Sequence, residues 1–147
     1  MVYNEKKQDL FTVDESYALA HCISADFALG AGIAVEFKNR FNMKAKLREK
    51  YPGYGWKWRE GKVAGDCILE GRVLNLITKE CYWHKPTYST MRKALETMRH
   101  VCINNGITKI AMPVIGCGLD RLKWDQVSAI IKEVFANDDI EILVCIQ

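Results

Sequence analysis

The sequence predicts an α/β fold in which a central sheet is covered by helices on both faces. Short apolar runs alternate along the chain with segments of helical periodicity, which is the order of elements in layered α/β proteins. The candidate strands are short and almost entirely apolar, as in sheets whose two faces are both buried. With 147 residues and no linker, repeat or low-complexity tract, the chain is expected to form one domain, residues 1–147.

The first half of the chain is divided by turn signals into strands and helices. Pro52-Gly53 ends a helical pattern, and Glu70-Gly71 lies between two apolar runs that are expected to pair through a turn. The elements expected here are a strand over 17–23, helices over 32–41 and 44–51, a glycine- and tryptophan-rich loop over 54–58, and strands over 63–69 and 72–78.

The second half contains the clearest helix, over residues 87–105. Thr87 is a good N-cap, an apolar stripe with helical spacing follows it, and Asn105-Gly106 is a stop signal. Three more elements complete the chain: a strand over 109–112, a helix over 123–136 and a final strand over 140–146.

Composition indicates the kind of ligand and the cellular location to expect. A net charge of +3 suits a small anionic ligand, and the basic cluster over residues 44–50 is interrupted by Glu49 and is interpreted as a solvated helix face. The six cysteines form no C-x-x-C pair, and no Cys/His cluster with zinc spacing is recognised, so no metal or cofactor is expected. No secretory signal or membrane-spanning run is recognised, and an intracellular location, cytoplasmic or nuclear, is expected.

Two glycine pairs follow predicted strands and precede predicted helices. The first is Gly30-Ala31-Gly32, and the second lies in Val114-Ile115-Gly116-Cys117-Gly118-Leu119-Asp120, which ends in a carboxylate. Glycines at alternate positions allow a tight turn whose N–H groups approach an anion, and helix N-termini attract phosphates. Either pair alone could also be a tight turn between a strand and a helix that binds no ligand. Together they favour a ligand with two phosphates.

The glycine pairs do not match the common nucleotide-binding motifs. Val35 stands where G-x-G-x-x-G needs its third glycine, and no Gly-Lys-Ser/Thr follows either pair. The ligand is therefore not expected to be held by a dinucleotide fingerprint or by a P-loop.

Five segments of the chain resemble the macrodomain family, and within it the terminal ADP-ribose protein glycohydrolases. The resemblance runs from about Lys7 to the C-terminus, departs from the family at Gln8, where glycine is usual, and finds no counterpart for residues 51–61. The matching segments are Asp9-Leu10-Phe11, Ala20-His21-Cys22-Ile23-Ser24, Gly30-Ala31-Gly32-Ile33-Ala34-Val35, His84-Lys85-Pro86-Thr87-Tyr88 and Ile115-Gly116-Cys117-Gly118-Leu119-Asp120-Arg121-Leu122.

The resemblance implies a three-layer α/β/α sandwich with a mixed central sheet, and a pocket for ADP-ribose. It places Asp9 and the Leu10 backbone at the adenine, although Asp9 also fits a solvated turn or a helix cap. His21 and Cys22 are expected to shape the pocket. The other implied ligand contacts are Ser24, Gly30, Ala31, Gly32, Ile33 and Ala34 near the ribose and diphosphate, and Val114, Ile115, Gly116, Cys117, Gly118 and Leu119 over the diphosphate and distal ribose.

Lys85 and Asp120 are the catalytic residues that the resemblance implies. A neutral lysine amine attacks the anomeric carbon of the distal ribose and displaces a carboxylate ester, and Asp120 transfers protons. Without the resemblance Lys85 fits a surface charge, and Asp120 fits a carboxylate at the N-terminus of the helix that starts near Trp124. Cys117 is not expected to be a nucleophile, because no histidine partners it nearby in sequence.

The expected function is metal-independent hydrolysis of ADP-ribose from acidic side chains of modified proteins, with O-acetyl-ADP-ribose as a further substrate. Two alternatives stay open: a non-catalytic ADP-ribose reader, and a hydrolase acting on ADP-ribosylated nucleic acid. The basic segment 44–50 and the Trp56/Trp58 loop are the hints of nucleic acid, and both also suit ordinary surface packing. The expected partners are ADP-ribose and ADP-ribosylated proteins, without a membrane, and the chain is expected to be a monomer.

Overall fold

A six-stranded mixed sheet forms the centre of the protein in a computed structural model that describes residues 1–61 and 65–147. The strands stand in the order β1-β6-β5-β2-β4-β3; all neighbours are parallel except β3, which pairs antiparallel with β4. The strands are β1 (Val2–Lys7), β2 (Ala18–Ser24), β3 (Asp66–Glu70), β4 (Val73–Lys79), β5 (Lys109–Met112) and β6 (Glu141–Ile146).

Helices cover both faces of this sheet and give the three layers that were predicted. The helices are α1 (Ile33–Phe41), α2 (Met43–Lys50), α3 (Tyr54–Arg59), α4 (Tyr88–Asn105) and α5 (Trp124–Val134), with a short 3-10 turn at Leu10–Thr12. Phe37 of α1 and Leu47 of α2 pack into one hydrophobic cluster, whereas Leu95 of α4 and Ile131 of α5 pack into the other. The sheet therefore separates two cores, one under each helical layer.

Side chains of β2 alternate between the two cores. Leu19 and Ile23 join the cluster under α1 and α2, and Ala18 and Ala20 join the cluster under α4 and α5. Successive side chains of a strand point to opposite faces, so a strand buried on both sides must be apolar throughout. This explains why the central strands are readable from the sequence as continuous apolar runs.

The predicted elements are confirmed with small shifts at their ends, and two regions differ. Residues 54–58 do not form a loop: Tyr54–Arg59 is a helical turn that begins after Gly53, whose φ is +74°. The strand Val2–Lys7 was not predicted. Of the strand predicted over 63–69, residues 63 and 64 lie outside the described residues, and β3 begins at Asp66. No helix in the described ranges is long and apolar enough to cross a membrane.

The five parallel strands bring their carboxyl ends to one edge of the sheet. Ser24, Lys79 and Met112 end three adjacent strands, β2, β4 and β5. The segments that follow these ends contain the two glycine turns and Lys85. Ligand sites of α/β sheets lie at this edge.

Candidate functional site

A large cavity of about 1190 Å³ lies at the carboxyl ends of the parallel strands. Its wall is formed by the segments that follow β2 and β5, by the turn before α4 and by the 3-10 turn after β1. The predicted site residues that line it are Asp9, Leu10, Ser24, Gly30, Ala31, Gly32, Ile33, Ala34, Lys85, Val114, Ile115, Gly116, Cys117, Gly118, Leu119 and Asp120.

His21 is the predicted site residue that the structure keeps away from the cavity. Its ring is fully buried, stacks on Phe37 with 3.8 Å between the ring centroids, and pairs with Asn75 Oδ1 through Nε2 at 2.6 Å. Burial lowers the pKa of His21 to about 4, against its ordinary 6.5, although the Asn75 hydrogen bond opposes this shift. The prediction of His21 as a ligand contact is therefore wrong; the ring is a neutral core group.

Asp120 is held by a lysine that the sequence analysis did not single out. Lys79 Nζ lies 2.6 Å from Asp120 Oδ1, and the two side chains are only 14% and 15% exposed. Both residues line the cavity, and Asp120 does not belong to the first turn of α5, where the acidic residue is Asp125. Asp120 lies before Lys123, the N-cap of α5, and its ion-pair partner is Lys79.

Lys85 extends from the segment before α4 to the glycine-rich loop after β5. Its Nζ donates a hydrogen bond to the backbone carbonyl of Leu119 at 2.5 Å. Leu119 precedes Asp120, so this bond brings the Lys85 amine to the residue next to the carboxylate. Pro86 follows Lys85 and favours an extended backbone there, which keeps the lysine outside α4.

The two glycine turns face each other across the cavity. A Cβ added to Gly32 would lie 3.9 Å from the Leu119 side chain, so the turn before α1 and the loop after β5 are close neighbours. Gly32 has a φ of +60° and is the N-cap of α1, and no described side chain caps that helix end. The first N–H groups of α1 are therefore available to an anion at the point where the turns meet.

Three cysteines line the cavity, Cys22, Cys117 and Cys145, and burial raises the pKa of each thiol. Burial raises the pKa of Cys22 well above its usual range, and the negative charge of Asp120 raises it further. Burial and Asp120 also raise the pKa of Cys117, whose thiol donates to the carbonyl of Ile115 at 3.2 Å. A nucleophilic cysteine needs a lowered thiol pKa. The expectation that Cys117 is not a nucleophile agrees with this environment.

Comparison with known proteins gives the family. The macro domain family model matches residues 20–131. The chain belongs to the macrodomain family.

Curated relatives extend this match over almost the whole chain. This macrodomain is 48% identical over 141 residues to a bovine (Bos taurus) protein named ADP-ribose glycohydrolase OARD1, and the match covers 94% of this chain and 87% of the relative. Its human (Homo sapiens) counterpart of the same name is 47% identical with the same coverage.

Solved structures agree in fold at much lower identity. The macrodomain of Thermus aquaticus DarG has a TM-score of 0.78 and 21% identity, over 98% of this chain and 97% of that one. Thermosipho africanus DarTG, solved in complex with ADP-ribose, has a TM-score of 0.71 and 15% identity, over 99% of this chain and 42% of that one. At these identities the likeness establishes the fold alone.

One end of the macrodomain cavity carries an acid beside an aromatic ring. Asp9 caps the 3-10 turn by accepting from the Phe11 N–H at 3.0 Å through Oδ1, so it is a cap as well as part of the wall. Phe11 also lines the cavity, and the Arg40 guanidinium lies 4.3 Å from the centre of its ring. Phe11 was part of a matching segment but was not predicted as a site residue.

Asp26 is a further residue that was not predicted. It hydrogen-bonds to Ser24 and Tyr82, which both line the cavity. Its Oδ1 accepts from the Ser24 hydroxyl at 2.5 Å and from the Ala28 N–H at 3.2 Å, while Oδ2 accepts from the Tyr82 N–H at 3.1 Å. One carboxylate thus joins the segment after β2 to the segment after β4. The contacts with Ser24 and Ala28 are local, whereas the contact with Tyr82 spans 56 positions and leaves no pattern in the sequence.

The basic and tryptophan-containing segments have different surroundings. Lys44 lines the main cavity, so the basic cluster is not entirely a solvated helix face. Trp56 is 64% exposed, with Arg59 lying 4.9 Å from its ring centre, and both line a second cavity of about 420 Å³. Trp58 packs against the core under α1 and α2. Of the two tryptophans, Trp56 is therefore the surface residue.

A group of metal-ligand side chains lies just before Lys85. Ligand atoms of Glu80, Cys81 and His84 lie within 4.8 Å of one another. No Cys/His cluster with zinc spacing was recognised in the sequence, and these three side chains do not by themselves establish a bound metal. The fold brings Glu80 next to the Cys81–His84 turn, which the linear pattern alone did not indicate.

Proposed function

We propose that this macrodomain is an ADP-ribosyl hydrolase that removes ADP-ribose from acidic side chains of modified proteins. The observation that carries the proposal is the lining of one cavity by Lys85, Asp120 and two facing glycine turns. The names of the bovine and human relatives, both ADP-ribose glycohydrolases, support the same activity.

The cavity suggests one direction for the bound ADP-ribose. The adenine lies at Asp9 and Phe11, where the carboxylate accepts from its amino group and the ring offers an aromatic surface. The diphosphate lies at the N-terminus of α1, between the two glycine turns. The distal ribose then reaches the Lys85 and Asp120 end of the cavity, where its bond to the modified protein is broken.

The reaction proceeds by attack of the neutral Lys85 amine on the anomeric carbon of the distal ribose. A carbon–nitrogen bond forms, and the bond between that carbon and the ester oxygen breaks, so the glutamate or aspartate leaves as a carboxylate. The lysyl–ADP-ribose intermediate is then hydrolysed by water, which returns the amine and releases ADP-ribose. O-acetyl-ADP-ribose fits the same site, because its leaving group is also a carboxylate.

Asp120 accepts the proton that the Lys85 ammonium loses before attack and returns a proton when the amine leaves. Lys79 supports this role by fixing one carboxylate oxygen at 2.6 Å in a largely buried ion pair. Lys79 is thus a positioning residue, whereas Lys85 forms the covalent bond. The cavity therefore contains two lysines with different tasks, and this distinction can be tested.

The decisive experiment traps the intermediate. The protein is incubated with ADP-ribose and a mild reductant, which fixes the imine formed between an amine and the ring-opened sugar, and the modified peptide is identified by mass spectrometry. We expect the adduct on Lys85 and not on Lys79. The Lys85→Ala variant should lose the adduct and its turnover of a glutamate-linked ADP-ribosylated protein by at least about 100-fold, since covalent catalysis is removed.

Binding measurements separate loss of chemistry from loss of the site. Lys85→Ala should still bind ADP-ribose in calorimetry, because Asp9, Phe11 and the glycine turns are unchanged. An adduct on Lys79, or parent-like turnover by Lys85→Ala, would refute the lysine assignment. Tight binding of ADP-ribose by the parent protein without any turnover would instead make it a reader.

A further inference from the structure

The turn that precedes Lys85 has the composition of a metal site. Cys81 and His84 are three residues apart, and the turn between them is closed by a hydrogen bond from the His84 N–H to the Cys81 carbonyl at 3.0 Å. A closed turn of this length brings the side chains of its first and last residues to the same side. Paired ligands at such short spacing are the usual beginning of a zinc site.

Glu80 supplies a third donor to this turn. Its Oε2 accepts a hydrogen bond from the Cys81 thiol at 3.4 Å, and the ligand atoms of all three residues lie within 4.8 Å of one another. Around a tetrahedral zinc ion, sulfur and nitrogen ligands are about 3.5 Å apart, so small side-chain rotations would close the site. A metal ion would replace the thiol proton that now lies between Cys81 and Glu80.

We propose that Glu80, Cys81 and His84 form a binding site for a thiolate-preferring divalent cation such as Zn²⁺, distinct from the ADP-ribose cavity. A sulfur, an imidazole nitrogen and a carboxylate oxygen are a donor set that favours zinc over magnesium or calcium. Three protein ligands leave a fourth position for water. Cys81 itself is buried at 8% exposure, whereas Tyr82 and Trp83, which lie between Cys81 and His84, are both 64% exposed, so the turn lies at the surface of the protein.

Two contacts oppose this site: the Cys81 N–H donates to His84 Nδ1 at 3.4 Å, and Arg59 pairs with Glu80. Arg59 is the stronger competitor, because it carries a positive charge. Its Nε lies 3.6 Å from Glu80 Oε1, and the Arg59 side chain is 58% exposed. A cation on Glu80 would displace this partner, at a cost typical of an exposed ion pair. The Arg59 guanidinium also lies over the Trp56 ring. This cation–π contact would remain after a metal ion had replaced Arg59 as the partner of Glu80.

A metal ion at this site would restrict the motion of the segment that contains Lys85. His84 is the residue directly before Lys85, and Tyr82 lines the ADP-ribose cavity. Joining Glu80, Cys81 and His84 through one ion would reduce the motion of this segment between β4 and α4. The metal is thereby assigned a structural role and takes no part in bond breaking.

Cobalt tests the site without reference to enzymatic activity. Co²⁺ added to the parent protein should give a thiolate-to-cobalt absorption band in the near ultraviolet and the visible bands of a tetrahedral ion. Cys81→Ser should abolish the near-ultraviolet band, and His84→Gln and Glu80→Gln should each weaken Co²⁺ binding at least about tenfold. His100→Gln, which removes an exposed histidine on α4, is the matched control and should bind as the parent does.

The competing arginine gives a test in the opposite direction. Arg59→Gln should strengthen Co²⁺ binding about two- to fivefold, because the exposed ion pair no longer has to be broken. Hydrogen exchange of the backbone amides over 81–85 should slow when Zn²⁺ is added to the parent. Absence of a thiolate band in the parent, its persistence in Cys81→Ser, or unchanged affinity in both His84→Gln and Glu80→Gln would overturn the proposal.

Discussion

At the scale of single residues, the buried ring of His21 makes the stability of the protein depend on pH. Burial lowers its pKa to about 4 in the folded protein, below the ordinary 6.5. The unfolded chain therefore binds more protons between these two values, and the free energy of unfolding falls as the pH is lowered through this window. From about pH 7.5 to about pH 5.5 the loss from His21 should be about 1.4 kcal/mol.

Urea unfolding at these two pH values measures the effect. His21→Asn removes the titrating ring, so the pH-dependent loss of stability should shrink by that amount, whatever the variant's stability at neutral pH. His100→Gln serves as the control, because His100 is exposed, and it should keep the parent's pH dependence. An equal loss in His21→Asn and in the parent would show that another group is responsible.

Single residues also show where sequence reasoning reaches its limit. Lys85 and Asp120 were selected because neighbouring motif residues resemble a family, whereas Lys79 is a lysine at the end of an apolar strand, which is an ordinary pattern. Its importance comes from the 2.6 Å approach to Asp120, 41 positions away in the chain. The contact of Asp26 with Tyr82 was missed for the same reason. Contacts between distant segments depend on the assembled fold and leave no local signal.

At the scale of elements, the glycine-rich loop after β5 needs glycine at one of its two positions. Gly116 has a φ of +74°, and a Cβ there would lie 2.7 Å from Met91 Cε and 3.2 Å from Leu122 Cδ1. The Met91 end can move, but the positive φ remains unfavourable for alanine. Gly118 has no atom within 4 Å of an added Cβ. Only Gly116 is therefore required by the backbone itself.

Substitution by alanine separates these two glycines. Gly116→Ala should lower the free energy of unfolding by about 1–3 kcal/mol, because it forces a strained backbone. Gly118→Ala should change it by less than about 0.5 kcal/mol and is the matched control. Denaturant unfolding of both variants measures the difference. Equal stability of the two variants would show that the loop adapts to a side chain at position 116.

Elements with strong local signals were predicted well from the sequence. Helix α4 begins after Thr87, which forms a capping box with Thr90, and it ends at Gly106, whose φ is +66°. Strand β1 was missed because it is a polar edge strand, with five of its six residues exposed, and its pairing with β6 comes from the far end of the chain. Helix α3 was missed because it is short and contains Gly55, a poor helix former.

At the scale of the whole molecule, the sheet holds the two ends of the cavity in fixed relation. Asp9 and Phe11 follow β1 at one edge, whereas Lys79 ends β4 near the other, and β6, β5 and β2 lie between them. The α/β layering and both glycine turns could be predicted from the sequence. The cavity itself could not, because it arises only when strands from both ends of the chain pair in this order.

Because the cavity extends across the sheet edge, a ligand that fills all of it should bind more tightly than a ligand that fills one end. ADP-ribose at about 100 times its dissociation constant should stabilise the folded protein by about 2.7 kcal/mol, which raises the melting temperature by about 5–10 °C. AMP and ribose 5-phosphate, each at the same concentration, should give smaller shifts, because each fills one end. Lys85→Ala should keep the ADP-ribose shift, since the lysine is assigned to chemistry. If AMP alone gave the full shift, the Lys79 and Asp120 end would contribute nothing to binding, and the proposed position of the distal ribose would be wrong.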